Sequence, residues 1–191
     1  VLRGIIGGGL GVLDELEARV VLDVLVGRAG QLVVPVDLAR RERLPAGEVI
    51  LEVYNSDFAV EHKDDNSPLT LADKRSHEII VNDLKQPITT NSNEYPVNNP
   101  SLPILSEEGK DLPYNGRKGW EYFWLVDPLD GTKEFIKRNG AFTVNIALIH
   151  RDKPVIGCIY IPVQDTFYFA AVNLGAYMLA NGLPVTDEEQ L

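Results

Sequence analysis

The stretch LVDPLDGTKEF, residues 125–135, sets two aspartates three positions apart, Asp127 and Asp130, with Pro128 between them and Gly131-Thr132 behind. Upstream, PILSEE delivers a second acidic pair, Glu107 and Glu108. Each pair closes an apolar run that reads as a strand. If the two strands are neighbours, four carboxylates converge at one sheet edge. Crowded like charges repel, and a bound divalent cation is the physical resolution. Donors that are all oxygen suit Mg²⁺ or Mn²⁺ rather than zinc. Pro128 stiffens the turn so that the Leu129 carbonyl can face the same point as the two aspartates. Gly131-Thr132 then opens a helix whose free N–H groups and positive dipole end form an anion site. Asp127 and Asp130 therefore read as metal ligands, and the helix start behind them as a phosphate site. A lone D-x-x-D-G string is equally an ordinary acidic turn; SEE and SPLTLAD upstream argue for the chemical reading.

Other reactive side chains carry less. His62, His77 and His150 stand apart and read as surface or core residues rather than ligands. The single cysteine, Cys158, lies in the apolar run PVIGCIYI and reads as a buried, inert thiol. One cysteine excludes an intramolecular disulfide and fits a reducing, cytoplasmic setting.

The elements that must position these residues follow from the pattern of the whole chain. Its 191 residues are 45% hydrophobic, enough for a sizeable core. A net charge of −10 argues against nucleic acid and acidic membrane surfaces as partners, so an anionic substrate would need locally supplied positive charge. No apolar run approaches the roughly 18 residues of a membrane span. The start, VLRGIIGGGLGV, is a poor signal peptide, with Arg3 as its only early charge. Residues 1–35 read as an atypical extension. A glycine cluster there precedes LDELEARVVLDVLVGR, where Leu13, Leu16, Val20 and Val24 could line one helical face before Gly27 and Gly30 end it. Without a preceding strand, those glycines carry little weight as a dinucleotide site.

From residue 36 onward the reading is one α+β unit, 36–191. VDLARRERLPAGEVILEVY (36–54) is helical, with Pro45 breaking or kinking it. NSDFAVEHKDDNSPLT is a short strand or loop. LTLADKRSHEIIVNDLKQ (69–86) is an amphipathic helix with Leu71, Ile79, Ile80 and Leu84 at helical spacing and Thr70 as its cap. ITTNSNEYPVNNPS is a surface loop, LPILSEEG a short buried strand, DLPYNGRKGWEY a loop, and FWLV a second strand. KEFIKRNG forms a short helix closed by Asn139-Gly140. AFTVNIALI, PVIGCIYI and TFYFAAV make an antiparallel meander, and AYMLANGLPV a last hairpin with an Asn-Gly turn. Helices followed by strands give a layered α+β arrangement without internal repeats.

DPLDGT behind an apolar strand, together with LSEEG, resembles the lithium-sensitive, magnesium-dependent phosphatase superfamily of inositol monophosphatases, fructose bisphosphatases and bisphosphate nucleotidases. WLVDPLDGTKEFIKRNGAFTVNIALI, DNSPLTLAD and PILSEEG are most similar to its bacterial 3'(2'),5'-bisphosphate nucleotidase branch of CysQ type, since inositol phosphatases read DGTTNF where this chain reads DGTKEF. The resemblance spans roughly residues 37–182. It implies the N-terminal part of a layered αβαβα sugar-phosphatase fold, helices packed on an antiparallel sheet. By that resemblance Glu107, Asp127, the Leu129 carbonyl and Asp130 bind two or three Mg²⁺ ions, for which Mn²⁺ can substitute, with Asp127 bridging two of them. Thr132 and Asp73 orient or deprotonate the attacking water, with Glu107 also catalytic. Gly131 and Thr132 amides hold the scissile phosphate beside Glu107, Leu129 and Asp130. Glu108 is at best one layer behind, and Lys63 and Asp65 lie on a loop over the site.

The implied activity is removal of the 3'-phosphate of adenosine 3',5'-bisphosphate to give AMP. The alternatives are an inositol-phosphate or sugar-bisphosphate phosphatase of the same fold, or a catalytically idle metal-binding fragment. The implied partner is a small phosphorylated nucleotide and not nucleic acid; family analogy leaves only peripheral membrane association open. Two departures stand out. Residues 1–35 do not match the family's start, and neither Trp120 nor Trp124 is followed by the aspartate that a C-terminal Trp-Asp motif supplies. The C-terminal half of the fold is therefore expected to be absent from this chain.

Overall fold

The computed structural model describes residues 45–64, 67–85, 102–172, 175–180 and 183–184. The expected extension 1–35, the loop 88–101, Asp65 and the Asn181-Gly182 turn lie outside the described residues. Helix α1 is described over Pro45–Tyr54. Proline lacks the N–H that a first turn leaves unbonded, and its fixed φ suits that position. Residues 36–44 of the expected helix lie outside the described residues, so the helix described is the part from Pro45 onward. Next comes a hairpin of β1 (Val60–His62) and β2 (Pro68–Thr70), which runs directly into helix α2 (Leu71–Leu84). The buried face of α2 is Ala72, Asp73, Ser76, Ile80 and Leu84. Leu71, expected on that face, is 51% exposed. At about 3.6 residues per turn it falls on the opposite side.

The remaining elements are β3 (Ile104–Ser106), α3 (Tyr114–Arg117), β4 (Tyr122–Asp130), α4 (Thr132–Ile136), β5 (Thr143–His150), β6 (Lys153–Ile161), a 3₁₀ turn (Pro162–Gln164), β7 (Thr166–Ala171), β8 (Gly175–Ala180) and β9 (Leu183–Pro184). Helix α3 lies inside the stretch expected as loop. Strands β3 to β9 form one seven-stranded sheet in chain order. From β4 onward it is the expected antiparallel meander. Strand β3, however, joins β4 in parallel, so the sheet is mixed and not purely antiparallel. A parallel neighbour needs a crossover, which the segment carrying α3 provides.

The register sends Trp124, Val126, Ile146, Leu148, Ile156, Cys158, Tyr160, Phe167 and Phe169 to one face, and all are buried. Helix α2 packs on β4, and α1 packs on α2. Gly47 permits the close approach of α1, because a Cβ there would stand 2.5 Å from the Tyr160 ring. The expected inert thiol of Cys158 lies in this core. The other face, with Leu125, Ala147, Gly157, Ile159 and Tyr168, borders an open cleft of about 680 Å³. Leu125 on that face is 44% exposed. At one end of this cleft lie the acids.

Candidate active site

Asp127 and Asp130 differ by an odd number of positions, so a regular strand would send them to opposite faces. Strand β4 solves this with a bulge. Asp127 pairs with Asn145 and Asp130 with Thr143, so three steps on β4 match two on β5. The extra residue restores the phase, and both aspartates line the cleft together with Thr143 and Asn145. Pro128 fits because a bulge needs no ladder N–H from it. Pro128 and Leu129 are both buried, which marks the break in alternation. The expected turn after FWLV is thus a bulge inside a strand that continues to Asp130.

The parallel partner brings the glutamates. Ser106 pairs with Val126, and the Glu107 amide donates to the Val126 carbonyl at 3.0 Å, so Glu107 enters the site beside Asp127. Burial, then repulsion from Glu107 and Asp130, pushes the Asp127 carboxyl up to about 7, against a hydrogen bond from the Leu129 amide. Its Oδ1 is buried and has no hydrogen-bond partner. A desolvated carboxylate oxygen beside two further carboxylates is costly unless a cation meets it. The donor set of Glu107, Asp127, Asp130 and the Leu129 carbonyl is wholly oxygen and fits a hard divalent ion.

The fourth carboxylate is differently placed. Lys63, at the end of the β1–β2 hairpin, puts its Nζ 2.6 Å from Glu108 Oε1 and 3.1 Å from Glu107 Oε1. Burial lowers the Lys63 pKa, but the hydrogen bonds and the charges of Glu108 and Glu107 together outweigh it and the net shift is upward. Burial raises the Glu108 carboxyl, with Lys63 opposing. The expected convergence of four acids is not seen: Glu107 and Asp130 act on Asp127, while Glu108 is drawn to an ammonium group that also takes one oxygen of Glu107. Among the described residues no group of three or more His, Cys, Asp or Glu side chains is placed to hold a metal ion as the structure stands.

Beyond Asp130 the chain turns through Gly131 at φ 97°, where a Cβ would lie 2.9 Å from the Ala141 carbonyl oxygen. Only glycine fits that left-handed turn without strain. Helix α4 then begins at Thr132, whose Oγ1 donates to Asp73 Oδ1 at 3.0 Å and lies 3.3 Å from the Leu129 carbonyl. Asp73 is 1% exposed. Its Oδ2 accepts from the Thr70 amide at 2.7 Å and the Thr70 hydroxyl at 2.5 Å, which closes a capping box on α2. Asp73 is thus both a helix cap and the partner of Thr132. Phe135 holds α4 in place by packing on Tyr54, Phe58 and Phe142 at ring distances of 5.0–5.2 Å. Arg138 seals the cluster from outside, donating to the carbonyls of Tyr54 and Ser56 and lying over the Tyr54 and Phe58 rings.

Sequence reading missed several supporting residues. Asn145 Nδ2 donates to Asp130 Oδ2 at 3.0 Å, and Thr143 Oγ1 donates to Asn145 Oδ1 at 3.2 Å. His77 Nδ1 lies 2.8 Å from Ser106 Oγ, tying α2 to the residue before Glu107. Burial lowers the pKa of that imidazole. Polar Asn145 in an otherwise apolar strand was the available signal. His62 and His150 stand on β1 and at the end of β5, and His150 stacks on Tyr122 at 4.3 Å.

The sequence and the fold match a known group of proteins. The sequence model of the inositol monophosphatase family matches residues 36–191. The chain belongs to the inositol monophosphatase family. Within it, the chain is 48% identical over 129 residues to the 3'(2'),5'-bisphosphate nucleotidase CysQ of Salmonella typhimurium, covering 66% of this chain and 47% of that protein. The CysQ of Escherichia coli K12 gives the same identity and coverage. Among solved structures of the family, CysQ from Bacteroides thetaiotaomicron is 46% identical with a TM-score of 0.59, covering 81% of this chain and 52% of that one. The suppressor protein suhB from Bartonella henselae is 27% identical with a TM-score of 0.60, covering 78% and 52%. The chain spans about half the length of these relatives, and its fold is part of the family's α+β architecture.

Proposed function

We propose that this chain carries the metal-holding and water-activating part of a Mg²⁺-dependent phosphomonoesterase that removes the 3'-phosphate of adenosine 3',5'-bisphosphate, yielding AMP and phosphate. The observation that carries the reading is the buried, unpartnered Asp127 Oδ1 between Glu107 and Asp130, next to the Thr132–Asp73 pair. The substrate comes from similarity, since relatives 48% identical are named 3'(2'),5'-bisphosphate nucleotidases. Glu107, Asp127, Asp130 and the Leu129 carbonyl would hold two or three ions. When bound, such ions supply positive charge that acidifies a water and steadies the leaving oxygen. Thr132 directs its own proton to Asp73 Oδ1, so its oxygen lone pairs remain to accept one from the attacking water. Asp73, shielded from solvent, takes the proton passed through that hydroxyl. The Gly131 and Thr132 amides hold the scissile phosphate in line with the water. The P–O3' bond breaks as the water oxygen bonds to phosphorus, and the bonding pair leaves with O3', which takes a proton from solvent to give the 3'-hydroxyl of AMP.

A second reading, a metal-binding part without turnover of its own, is favoured by the open sheet face at Leu125. Phosphate release by this chain with Mg²⁺ separates the two. Adenosine 3',5'-bisphosphate should turn over faster than inositol 1-phosphate and fructose 1,6-bisphosphate, at a small fraction of the rate of a relative twice the length. Thr132→Ala should lower kcat far more than it raises KM, and Thr132→Ser should keep much of the rate. A serine variant as inactive as the alanine variant would refute the water-directing role. Preference for inositol phosphate would replace the substrate, and metal binding without turnover would establish the second reading. Peripheral membrane association remains a proposal from family analogy; among the described residues no helix is long and apolar enough to cross a membrane.

A further inference from the structure

The geometry points to Asn145 as the residue that sets which divalent ion this site prefers, by restricting Asp130 to coordination through one oxygen. This rests on the reading of Asp130 as a ligand. The bulge in β4 places Asp130 opposite Thr143, with Asn145 two residues along the same face. Asn145 Nδ2 donates to Asp130 Oδ2 at 3.0 Å. The amide cannot usefully flip. Its Oδ1 already accepts from Thr143 Oγ1 at 3.2 Å, and a flipped amide would turn that oxygen towards a carboxylate. A fixed hydroxyl-to-amide-to-carboxylate chain therefore occupies Oδ2 and leaves Oδ1 to coordinate. The cross-strand partner of Asn145 is Asp127, whose Oδ1 receives no hydrogen bond. The amide is committed to one aspartate and leaves the other open.

Ion size makes this commitment selective. Mg²⁺ demands near-octahedral geometry at about 2.0–2.1 Å, keeps several waters and is bound through one or two carboxylates. Ca²⁺ takes about 6–8 oxygens at 2.3–2.6 Å and accepts bidentate carboxylates. A carboxylate with one oxygen tied to an amide suits the smaller ion and denies the larger one a bidentate ligand. Asn145 is thus a positioning residue that acts through Asp130, with Thr143 behind it.

The test is equilibrium titration of the 191-residue chain with Mg²⁺ and, separately, Ca²⁺, by calorimetry without substrate. Asn145→Leu keeps the side chain's approximate volume and removes the donor. The ratio of Kd for Ca²⁺ to Kd for Mg²⁺ should fall about tenfold, with Mg²⁺ weaker and Ca²⁺ equal or tighter. Thr143→Val, which keeps the amide but unlocks it, should shift the ratio the same way by about threefold. Equal weakening of both ions would show that Asn145 only supports the strand, and an unchanged ratio in both variants would likewise overturn the inference. Asp130→Asn separates this from failure of the underlying reading. If it weakens both ions while Asn145→Leu leaves the ratio alone, only the selectivity role falls. If it alters neither ion, Asp130 is not a ligand and both fall.

Discussion

Replacing Asp127 with asparagine removes the charge that the site strains most to hold, and keeps the side chain's shape. The carboxyl moves from an ordinary 3.8 to about 7 on folding, chiefly through burial and then through Glu107 and Asp130. A native pKa above the unfolded one means that the native state holds the extra proton between those values. Stability therefore falls as pH rises from about 4 to about 7 and is level beyond. Three pKa units are worth about 4 kcal/mol at most. The carboxyl is only half-buried and shares its field with Glu107, so solvent screening brings this to about 1–2 kcal/mol. In metal-free buffer at pH 8, Asp127→Asn should raise Tm by about 3–8 °C, and at pH 4 the two proteins should melt together. Saturating Mg²⁺ should reverse the order, because an ion at a hundred times its Kd adds about 2.7 kcal/mol to whichever protein binds it. Scanning calorimetry across pH, with EDTA or Mg²⁺, reads both effects. An asparagine variant less stable than wild type at pH 8 in EDTA, or a Tm difference constant across pH, would refute the argument that Asp127 is a destabilising, ion-awaiting carboxylate.

Three further outcomes rest on other parts of the structure. Phe135→Ala, at the centre of the ring cluster that anchors α4, should cost about 3–5 kcal/mol in urea unfolding; a loss below about 1 would mean that α4 is held by something else. Gly131→Ala forces a Cβ into the Ala141 carbonyl at a positive φ, so it should destabilise by about 1–3 kcal/mol and weaken phosphate retention, checked by unfolding and by phosphate competition. Lys63→Met frees Glu107 from its ammonium partner and should tighten Mg²⁺ binding about threefold while lowering metal-free Tm. Weaker Mg²⁺ binding in calorimetry would show that Lys63 supports the site instead of competing with the ion.

The residues bordering the candidate site could be picked out because they are concentrated in local strings. DPLDGT, SEE and TLAD each hold their key residues within a few positions, and strand ends deliver them without long-range information. The Thr70 cap was readable for the same reason, although the part Asp73 takes in that cap was not. What escaped depends on register. Whether Pro128-Leu129 forms a turn or a bulge is decided by pairing with β5, and Asn145 meets Asp130 only because that bulge shifts the phase by one. Lys63 was placed over the site by resemblance alone; its pairing with Glu107 and Glu108 across more than forty residues is encoded in no local pattern. Leu71 was misjudged at a helix boundary, where one residue decides which side faces the core. The parallel seating of β3 was invisible because both orientations bring the same strands together.

The bulge also explains why one member of the site is out of reach of ordinary mutagenesis. Two aspartates separated by a single residue would share a face on a regular strand, so the extra position is not needed to aim the acids. What it adds is a peptide group withdrawn from the ladder, the Leu129 carbonyl that lies 3.3 Å from the Thr132 hydroxyl. That oxygen belongs to the main chain and survives every side-chain replacement. A systematic alanine scan would score Leu129 as a core residue and nothing more. Only shortening Pro128-Leu129 by one residue, which restores regular pairing and keeps both carboxylates on the cleft, would expose what the backbone contributes.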